Sequence, residues 1–128
     1  MTKKDNSYWS KKLDSFSYKI LREAGTEMPF SGEYNIHFED GSYKCKGCGN
    51  LLFESNSKFD SGCGWPSFDK AVKGSVVYKE DNSLSRIRTE ILCSKCDGHL
   101  GHVFNDGPKE TTGIRHCVNS VALVFKKT

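Results

Sequence analysis

The prediction of the fold rests on the stretch from Thr111 to Phe125, TTGIRHCVNSVALVF. Its β-branched and apolar residues, which follow Thr-Thr-Gly, predict a single strand. The side chains of a strand alternate between its two faces. One face of this strand carries Arg115, Cys117, Asn119, Val121, Leu123 and Phe125. Because the guanidinium of Arg115 lies two residues from Cys117, it favours the reactive thiolate. The ordinary alternative is a small buried cysteine in a core strand.

The segment before residue 26 predicts one N-terminal helix. Apolar residues recur at helical spacing, at Leu13, Phe16, Ile20, Leu21 and Ala24. Asp14 suits the N-cap of this helix, and Gly25 suits the position after its last turn. We expect residues 1–10 to form a disordered or frayed N-terminus and residues 11–128 to form a single domain.

Short strand-like segments follow the helix and are separated by glycine-containing turns. Tyr34, Ile36 and Phe38 alternate with polar residues before Asp40-Gly41, which is a hairpin turn signal. Further strands are predicted at Val76–Tyr78 and over residues 86–91. The residues therefore predict a mainly β, mostly antiparallel domain with an N-terminal helix.

The composition indicates an ordinary globular protein. The 128 residues, of which 36% are hydrophobic and 27% charged, can bury one core. No apolar run approaches the ~20 residues of a membrane span, and the N-terminus lacks the apolar segment of a signal peptide. We therefore expect a cytoplasmic monomer without membrane contact, whose cysteines bind metal or catalyse rather than form structural disulfides.

Two Cys-X2-Cys pairs predict a metal site. The first is Cys45 and Cys48, and the second is Cys93 and Cys96. Each pair fits a turn that directs two thiolates at one ion, and two pairs complete a tetrahedral Cys₄ shell for Zn²⁺. Four protein ligands leave no open position, so we expect a structural zinc ion. Two disulfides are the alternative, which conflicts with a cytoplasmic location.

The net charge does not indicate a nucleic-acid partner. The formal charge is +3, and a Cys₄ zinc site adds 2 − 4 = −2, which leaves about +1. Lysines concentrate near the two ends of the chain, where a solvated surface explains them better than a phosphate-binding patch.

Two thiols and two imidazoles remain for chemistry. Cys63 lies in a glycine-rich loop beside Trp65, where a mobile thiol is more plausible than a core one. The sequence leaves open whether Cys63 pairs with Cys117. His99 and His102 can donate or accept protons near neutral pH. The alternatives are two hydrogen-bonded histidines without a chemical role, or a second metal site.

Together these motifs resemble the methionine-R-sulfoxide reductase family. The resemblance is carried by Cys-X2-Cys, Ser-Gly-Cys-Gly-Trp-Pro-Ser-Phe, a second Cys-X2-Cys, Gly-His-Leu-Gly-His-Val-Phe and Arg-X-Cys-X-Asn-Ser. It runs in order from about Leu13 to about Phe125, which is nearly the whole chain. It implies two antiparallel sheets in a tent-like arrangement, with a structural zinc ion away from the active site.

The resemblance also implies roles for individual residues. Cys117 corresponds to the catalytic cysteine and Cys63 to the resolving one. The other active-site positions are His99, His102, Arg115 and Asn119, with Trp65 and Phe104 as substrate-binding residues. One departure is His116, where the family usually has tyrosine. Because His116 points away from the Cys117 face, we expect it to affect packing rather than chemistry.

The implied reaction is the reduction of the R epimer of methionine sulfoxide in oxidised proteins, and the sequence leaves open whether the free amino acid is also a substrate. The catalytic thiolate attacks the sulfoxide sulfur while a histidine protonates the oxygen. The resulting sulfenic acid is resolved as a Cys63–Cys117 disulfide, which thioredoxin reduces. Two other functions use part of the same pattern, namely a zinc-stabilised binding module and a redox sensor without turnover.

Overall fold

A computed structural model describes residues 6–23, 25–35, 37–81 and 88–127 of the chain. Predictions that concern residues 1–5, Ala24, Ile36 and the first part of the predicted strand 86–91 lie outside the described residues. In the part of the chain that is described, no helix is both long enough and apolar enough to cross a membrane.

The strands form two antiparallel sheets. In chain order they are β1 Gly41–Cys45, β2 Leu51–Glu54, β3 Lys58–Phe59, β4 Ser67–Phe68, β5 Val76–Asp81, β6 Arg88–Cys93, β7 His99–Phe104, β8 Arg115–Val118 and β9 Leu123–Lys127. The small sheet has the order β2-β1-β9, and the large sheet has the order β3-β4-β8-β7-β6-β5. The expected mainly β fold with two antiparallel sheets is thus confirmed, as is the strand predicted at Val76.

The single strand predicted over residues 111–125 is wrong, because the chain changes sheets at Asn119. β8 ends just before this residue, and a 3₁₀ turn, Ser120–Ala122, leads into β9. The side-chain amide of Asn119 donates to the carbonyl oxygen of Leu100 at 3.1 Å. This buried hydrogen bond stabilises the bend. Cys117 therefore lies near the end of β8, two residues before the chain passes from the large sheet to the small one.

Within the described residues, two helices precede the sheets. They are α1 Asn6–Lys12 and α2 Ser15–Glu23. The sequence predicts a frayed segment over residues 1–10, but α1 begins within it and Trp9 is only 1% exposed. The guanidinium of Arg22 lies 5.0 Å from the Trp9 ring, so indole burial and a cation–π contact hold α1 against α2. Asp14 caps α2 as predicted, since its carboxylate accepts the backbone N–H of Ser17 at 3.3 Å.

The hairpin predicted at Asp40-Gly41 is also wrong. Among the described residues no strand precedes β1, which pairs with β2 and β9 instead. The ring of Phe38 is 49% exposed and is covered by the ammonium group of Lys58, 4.1 Å from its centre. Tyr34 packs edge-on against Tyr43 of β1. Tyr34 therefore covers the small sheet and does not extend it, and Phe38 contacts Lys58 of the large sheet.

The register of the large sheet places three polar side chains beside one another. Ser67 on β4 pairs with Cys117 on β8, and Cys117 pairs in turn with His102 on β7. Directly paired residues of antiparallel strands lie on the same face of a sheet. Their neighbours Phe68 and His116, which also pair, are buried on the other face. Strand pairing therefore sets the Cys117 thiol between a hydroxyl and an imidazole.

Candidate active site and metal centre

A cleft of about 170 Å³ opens over Cys117. Its lining residues are Thr26, Cys63, Trp65, Arg88, Gly101, His102, Phe104, Arg115, Cys117, Val118 and Asn119. Apart from His99, every residue predicted to take part in catalysis or substrate binding lines this cleft. Residues that are far apart in sequence are thus brought to one concave surface, as a small-molecule or side-chain site requires.

The two thiols outside the predicted metal site face each other in the cleft. The Sγ atoms of Cys63 and Cys117 are 3.8 Å apart, within range of a thiol hydrogen bond. The hydrogen bond from Cys117 and those from Ser61 and Ser67 lower the pKa of Cys63 to about 4. The same contact with Cys63, together with burial, raises the pKa of Cys117. In the reduced pair, the Cys117 thiol and the two serine hydroxyls therefore favour the thiolate form of Cys63.

Arg115 acts on Cys117 in the predicted direction, but it does not make Cys117 the resting thiolate. The guanidinium lowers the pKa of Cys117 less than Cys63 and burial raise it. Asp106 binds Arg115 through two hydrogen bonds, Nε–Oδ1 at 2.8 Å and Nη2–Oδ2 at 3.2 Å. Asp106 thereby raises the pKa of Arg115 and neutralises part of its charge. The guanidinium also lies 4.6 Å from the centre of the Phe104 ring, so it is a fixed cation of the cleft.

The two predicted histidines have different surroundings. His102 lines the cleft, and its Nε2 lies 2.8 Å from Oδ2 of Asp81, which also accepts a hydrogen bond from Arg88 at 3.3 Å. His99 is buried, with Nδ1 2.5 Å from Oε2 of Glu90. Burial lowers the pKa of His99, although Glu90 opposes this effect. His102 is therefore the imidazole that reaches a molecule in the cleft.

Trp65 and Asn119 are both tied to the backbone of Glu27. The indole Nε1 of Trp65 donates to the Glu27 carbonyl at 3.1 Å, and the backbone N–H of Glu27 donates to Oδ1 of Asn119 at 3.0 Å. The carboxylate of Glu27 is buried and accepts the backbone N–H of Val121 at 3.0 Å. One residue thus fixes the orientation of two groups that line the cleft.

Two glycines allow the backbones around the two thiols to approach closely. A Cβ atom on Gly101 would lie 1.9 Å from the carbonyl oxygen of Cys117, so only glycine lets β7 and β8 pair here. Gly64 has a φ of +97°, and its carbonyl accepts the backbone N–H of Phe30 at 2.7 Å. The loop that carries Cys63 is therefore held against the segment that follows Glu27.

His116 makes structural contacts on the opposite face of β8, as the sequence predicts. Its Nε2 lies 2.7 Å from the hydroxyl of Tyr78, and its Nδ1 lies 3.1 Å from the carbonyl oxygen of Phe68. Burial lowers the pKa of His116. The neutral ring can donate from Nδ1 and accept at Nε2, so both neighbours are satisfied without a charge.

The four remaining cysteines form a separate cluster. The Sγ atoms of Cys45, Cys48, Cys93 and Cys96 all lie within 4.8 Å of one another. The contacts Cys45–Cys96 and Cys48–Cys93 measure 3.7 and 3.5 Å. Zinc–sulfur bonds of about 2.3 Å in a tetrahedron imply sulfur separations of about 3.8 Å, so the donor set fits a metal ion.

The metal centre and the cleft lie at opposite ends of one strand. Arg88, which lines the cleft, begins β6, and Cys93 ends it. Five strand residues span roughly 17 Å. A metal ion held there can therefore support the sheet that carries the cleft, and none of the four clustered cysteines lines the cleft.

Sequence reasoning missed the polar residues that hold the catalytic candidates in place. These are Thr26, Asp81, Arg88, Glu90 and Asp106. In the sequence they are ordinary charged or polar residues of strands and turns. The register of β5, β6 and β7, in which Asp81 pairs with Arg88 and Glu90 with His102, brings Asp81, Arg88 and Glu90 to the histidines. Asp106 instead reaches Arg115, and Thr26 lines the cleft.

Comparisons with known proteins agree with this arrangement. The SelR domain family matches residues 13–127. A peptide methionine sulfoxide reductase MsrB of Bradyrhizobium diazoefficiens is 56% identical over 94% of this chain and 86% of its own length. The MsrB of Leptospira interrogans is 53% identical over 97% of this chain and 95% of its own. A Caenorhabditis elegans protein named "Probable methionine-R-sulfoxide reductase B" is 51% identical over 93% of this chain and 80% of its own.

A likeness to a solved structure extends only to the fold. The Mis18 Yippee-like domain, known from a crystal structure, superposes with a TM-score of 0.56 and 19% sequence identity. The match covers 70% of this chain and 98% of that domain. At this identity the likeness supports the shared arrangement of strands and carries no functional conclusion.

Proposed function

The chain belongs to the SelR domain family, and from that premise we propose that it reduces the R epimer of methionine sulfoxide, chiefly in oxidised proteins. It is then an oxidoreductase that repairs oxidised methionine. The observation that carries this proposal is the single cleft in which Cys117, Cys63, His102, Trp65 and Asn119 meet. A sulfoxide needs a nucleophile for its sulfur and an acid for its oxygen, and this cleft offers both.

The first step uses Cys117 and His102. A proton shift across the 3.8 Å contact between Cys117 and Cys63 supplies the Cys117 thiolate. Its sulfur attacks the sulfoxide sulfur, and His102, held by Asp81, protonates the oxygen. Methionine leaves, and the oxygen remains on Cys117 as a sulfenic acid. We assign the acid to His102 rather than His99 because His102 lines the cleft.

Trp65, Phe104 and Asn119 fit the substrate. The indole of Trp65 provides an apolar face for the methyl group of methionine sulfoxide, and the Phe104 ring adds apolar area. Asn119 can hydrogen-bond a sulfoxide oxygen near the Cys117 thiol. Glu27 fixes both Trp65 and Asn119, so the methyl group and the oxygen of the sulfoxide are held on defined sides of its sulfur atom. This arrangement selects one epimer.

Cys63 resolves the sulfenic acid. Its sulfur attacks Cys117, a Cys63–Cys117 disulfide forms, and water leaves. We propose a thioredoxin-type dithiol as the reductant of this disulfide. We further propose Zn²⁺ at the Cys₄ centre and a cytoplasmic monomer, because thiolate ligands need a reducing compartment and one chain supplies the whole cleft.

The replacement Cys63→Ser is expected to separate the two steps. The first equivalent of methionine forms, because Cys117 keeps its place and loses the neighbour that raises its pKa. Thioredoxin-linked turnover stops, because no disulfide forms. The amount of methionine formed in the first turnover is measured with and without thioredoxin. The zinc content of the variant is the control for folding. Undiminished thioredoxin-linked turnover would show that Cys63 is not the resolving thiol.

The replacement His102→Ala is expected to slow the first step about 10²-fold or more, the usual contribution of a general acid. The rate of disulfide formation is expected to change less, because that step does not require protonation of a sulfoxide oxygen. Single-turnover formation of methionine is the measurement. His37→Ala is a matched control, because His37 does not line the cleft. A wild-type rate in His102→Ala would remove this residue from the acid role.

The proposed function is tested with the separated R and S epimers of a blocked methionine sulfoxide. With dithiothreitol as reductant, the protein is expected to convert the R epimer and leave the S epimer unchanged. Conversion of neither epimer by folded, metal-loaded protein would overturn the proposal and favour a redox sensor or binding module.

A further inference from the structure

Two serine hydroxyls lie against the sulfur of Cys63. Ser61 Oγ donates to Cys63 Sγ at 3.0 Å, and Ser67 Oγ lies 3.5 Å from the same sulfur. The two hydroxyl oxygens are themselves 2.8 Å apart. Neither serine lines the cleft that would hold the substrate. The first step, in which the sulfoxide is reduced, therefore does not explain why these contacts are present.

The direction of these hydrogen bonds is set by the backbone. Ser61 Oγ accepts the backbone N–H of Cys63 at 3.3 Å, and its one proton points to the sulfur. Ser67 is fully buried on β4, directly opposite Cys117. Its one hydroxyl proton has two acceptors within reach, the carbonyl oxygen of Trp65 at 3.2 Å and Ser61 Oγ at 2.8 Å, and we assign it to the closer Ser61. A chain of hydrogen bonds in one direction polarises each of its members. The order Ser67 to Ser61 to Cys63 therefore ends in a strengthened donor at the sulfur.

These donors matter most after the first step. In the reduced protein, the Cys117 thiol is the first contributor to the low pKa of Cys63, and Ser61 and Ser67 follow. Once Cys117 is oxidised, it has lost the S–H that made this hydrogen bond. The charged or titratable groups that then remain near Cys63 are Arg115, His102 and, on its own loop, Asp60. The Ser61 hydroxyl, polarised by Ser67, is left as the neutral side-chain donor in contact with the anion.

We propose that Ser61 and Ser67 are positioning residues for the resolving step, holding the sulfur of Cys63 as an anion directed at oxidised Cys117. The inference rests on the proposed function and concerns its second step. The Cys63 thiolate gives an electron pair to the Cys117 sulfur, so the S–S bond forms and the S–O bond breaks. Cys63 has first released the proton that it took from Cys117, and the oxygen, which leaves as hydroxide, takes up one proton to give water. Cys63 sulfur is oxidised as Cys117 sulfur is reduced.

The first experiment compares two rates in one single turnover. Reduced protein is mixed with one equivalent of blocked methionine-R-sulfoxide at pH 6, and methionine and disulfide are followed together. In Ser61→Ala and Ser67→Ala, the ratio of disulfide rate to methionine rate is expected to fall about tenfold, the effect of one lost hydrogen bond to a charged group. The ratio is expected to return to the wild-type value near pH 9, where Cys63 ionises without help.

Ser57→Ala is the matched control, because Ser57 is a buried serine whose hydroxyl does not contact a cysteine sulfur. If the ratio of disulfide rate to methionine rate at pH 6 is the same in the serine variants as in this control, the inference is overturned. Failure of the wild type to form methionine at all is a different result, which overturns the proposed function. Ser61 is exposed in a loop, so Ser61→Ala keeps the test valid if Ser67→Ala does not fold.

A second measurement does not depend on activity. In Cys117→Ala, where no thiol donor remains, alkylation of Cys63 by iodoacetamide is followed against pH by peptide mass spectrometry. Adding Ser61→Ala is expected to raise the midpoint by about one pH unit, which corresponds to a tenfold smaller thiolate fraction at low pH. The same midpoint with and without Ser61 would overturn the inference.

Discussion

Replacement of Cys117 by serine is expected to abolish reduction of methionine-R-sulfoxide, with kcat lowered by at least about 10⁴-fold. A serine hydroxyl is a far weaker nucleophile than a thiolate and cannot form a sulfenic acid. The proton shift from Cys117 to Cys63 is lost as well. The measurement is conversion of the R epimer with dithiothreitol, at several protein concentrations so that a small residual rate is detected.

The control for this variant is its structure. Cys117 is not one of the four clustered cysteines and lies on β8, two strands away from β6, so zinc content and the thermal transition are expected to stay close to those of the wild type. Cys63→Ser is expected to give the complementary result. This variant forms one equivalent of methionine, but turnover with thioredoxin as reductant then stops. Substantial turnover by Cys117→Ser would assign the nucleophile to another residue.

The sequence predicted the elements of the fold better than their connections. The periodicity of residues 13–24 and the cap at Asp14 were sufficient for α2, because local hydrogen bonds determine a helix start. The break at Asn119 was missed, since an asparagine between apolar residues does not interrupt the alternation. Its cause is a set of hydrogen bonds to Leu100 and Glu27, which are distant in sequence. Trp9 was missed for the same reason, because its partner Arg22 lies on the next helix.

For the candidate site, cysteine spacing and motif order predicted which reactive groups meet, but not how they are charged. A cation two residues from Cys117 suggested a Cys117 thiolate. In the structure, hydrogen bonds from Cys117, Ser61 and Ser67 favour the thiolate form of Cys63 instead, and Asp106 binds Arg115. Such charges depend on distances across strands, which sequence separation does not give.

The metal centre has a mechanical role that follows from its ligands. Cys45 ends β1 of the small sheet, and Cys93 ends β6 of the large sheet. Since Cys45 and Cys93 come from different sheets, a metal ion bound to all four cysteines would join the two sheets across the core. Cys93 and Arg88 are on the same strand, so the position of the cleft depends on this connection.

The replacement Cys93→Ser is therefore expected to remove the metal and the fold together. A structural Cys₄ zinc site has an apparent binding free energy of about 10 kcal/mol, and a whole domain of this size has a free energy of unfolding of about 5–15 kcal/mol. Loss of the site removes an amount comparable to the entire stability. We expect less than one equivalent of bound zinc, no cooperative thermal transition and no reductase activity. Metal analysis, circular dichroism and the R-epimer assay measure these three properties.

Lys95→Ala is the matched control, because Lys95 lies in the same Cys-X2-Cys turn but is exposed and is not a ligand. It is expected to keep one zinc ion per chain and the wild-type transition. Removal of zinc from the wild type by a strong chelator is expected to reproduce the Cys93→Ser result, which would assign the effect to the metal rather than to the serine. A folded, active and zinc-free Cys93→Ser protein would contradict a structural metal, since the two sheets would then hold the cleft in place by packing alone.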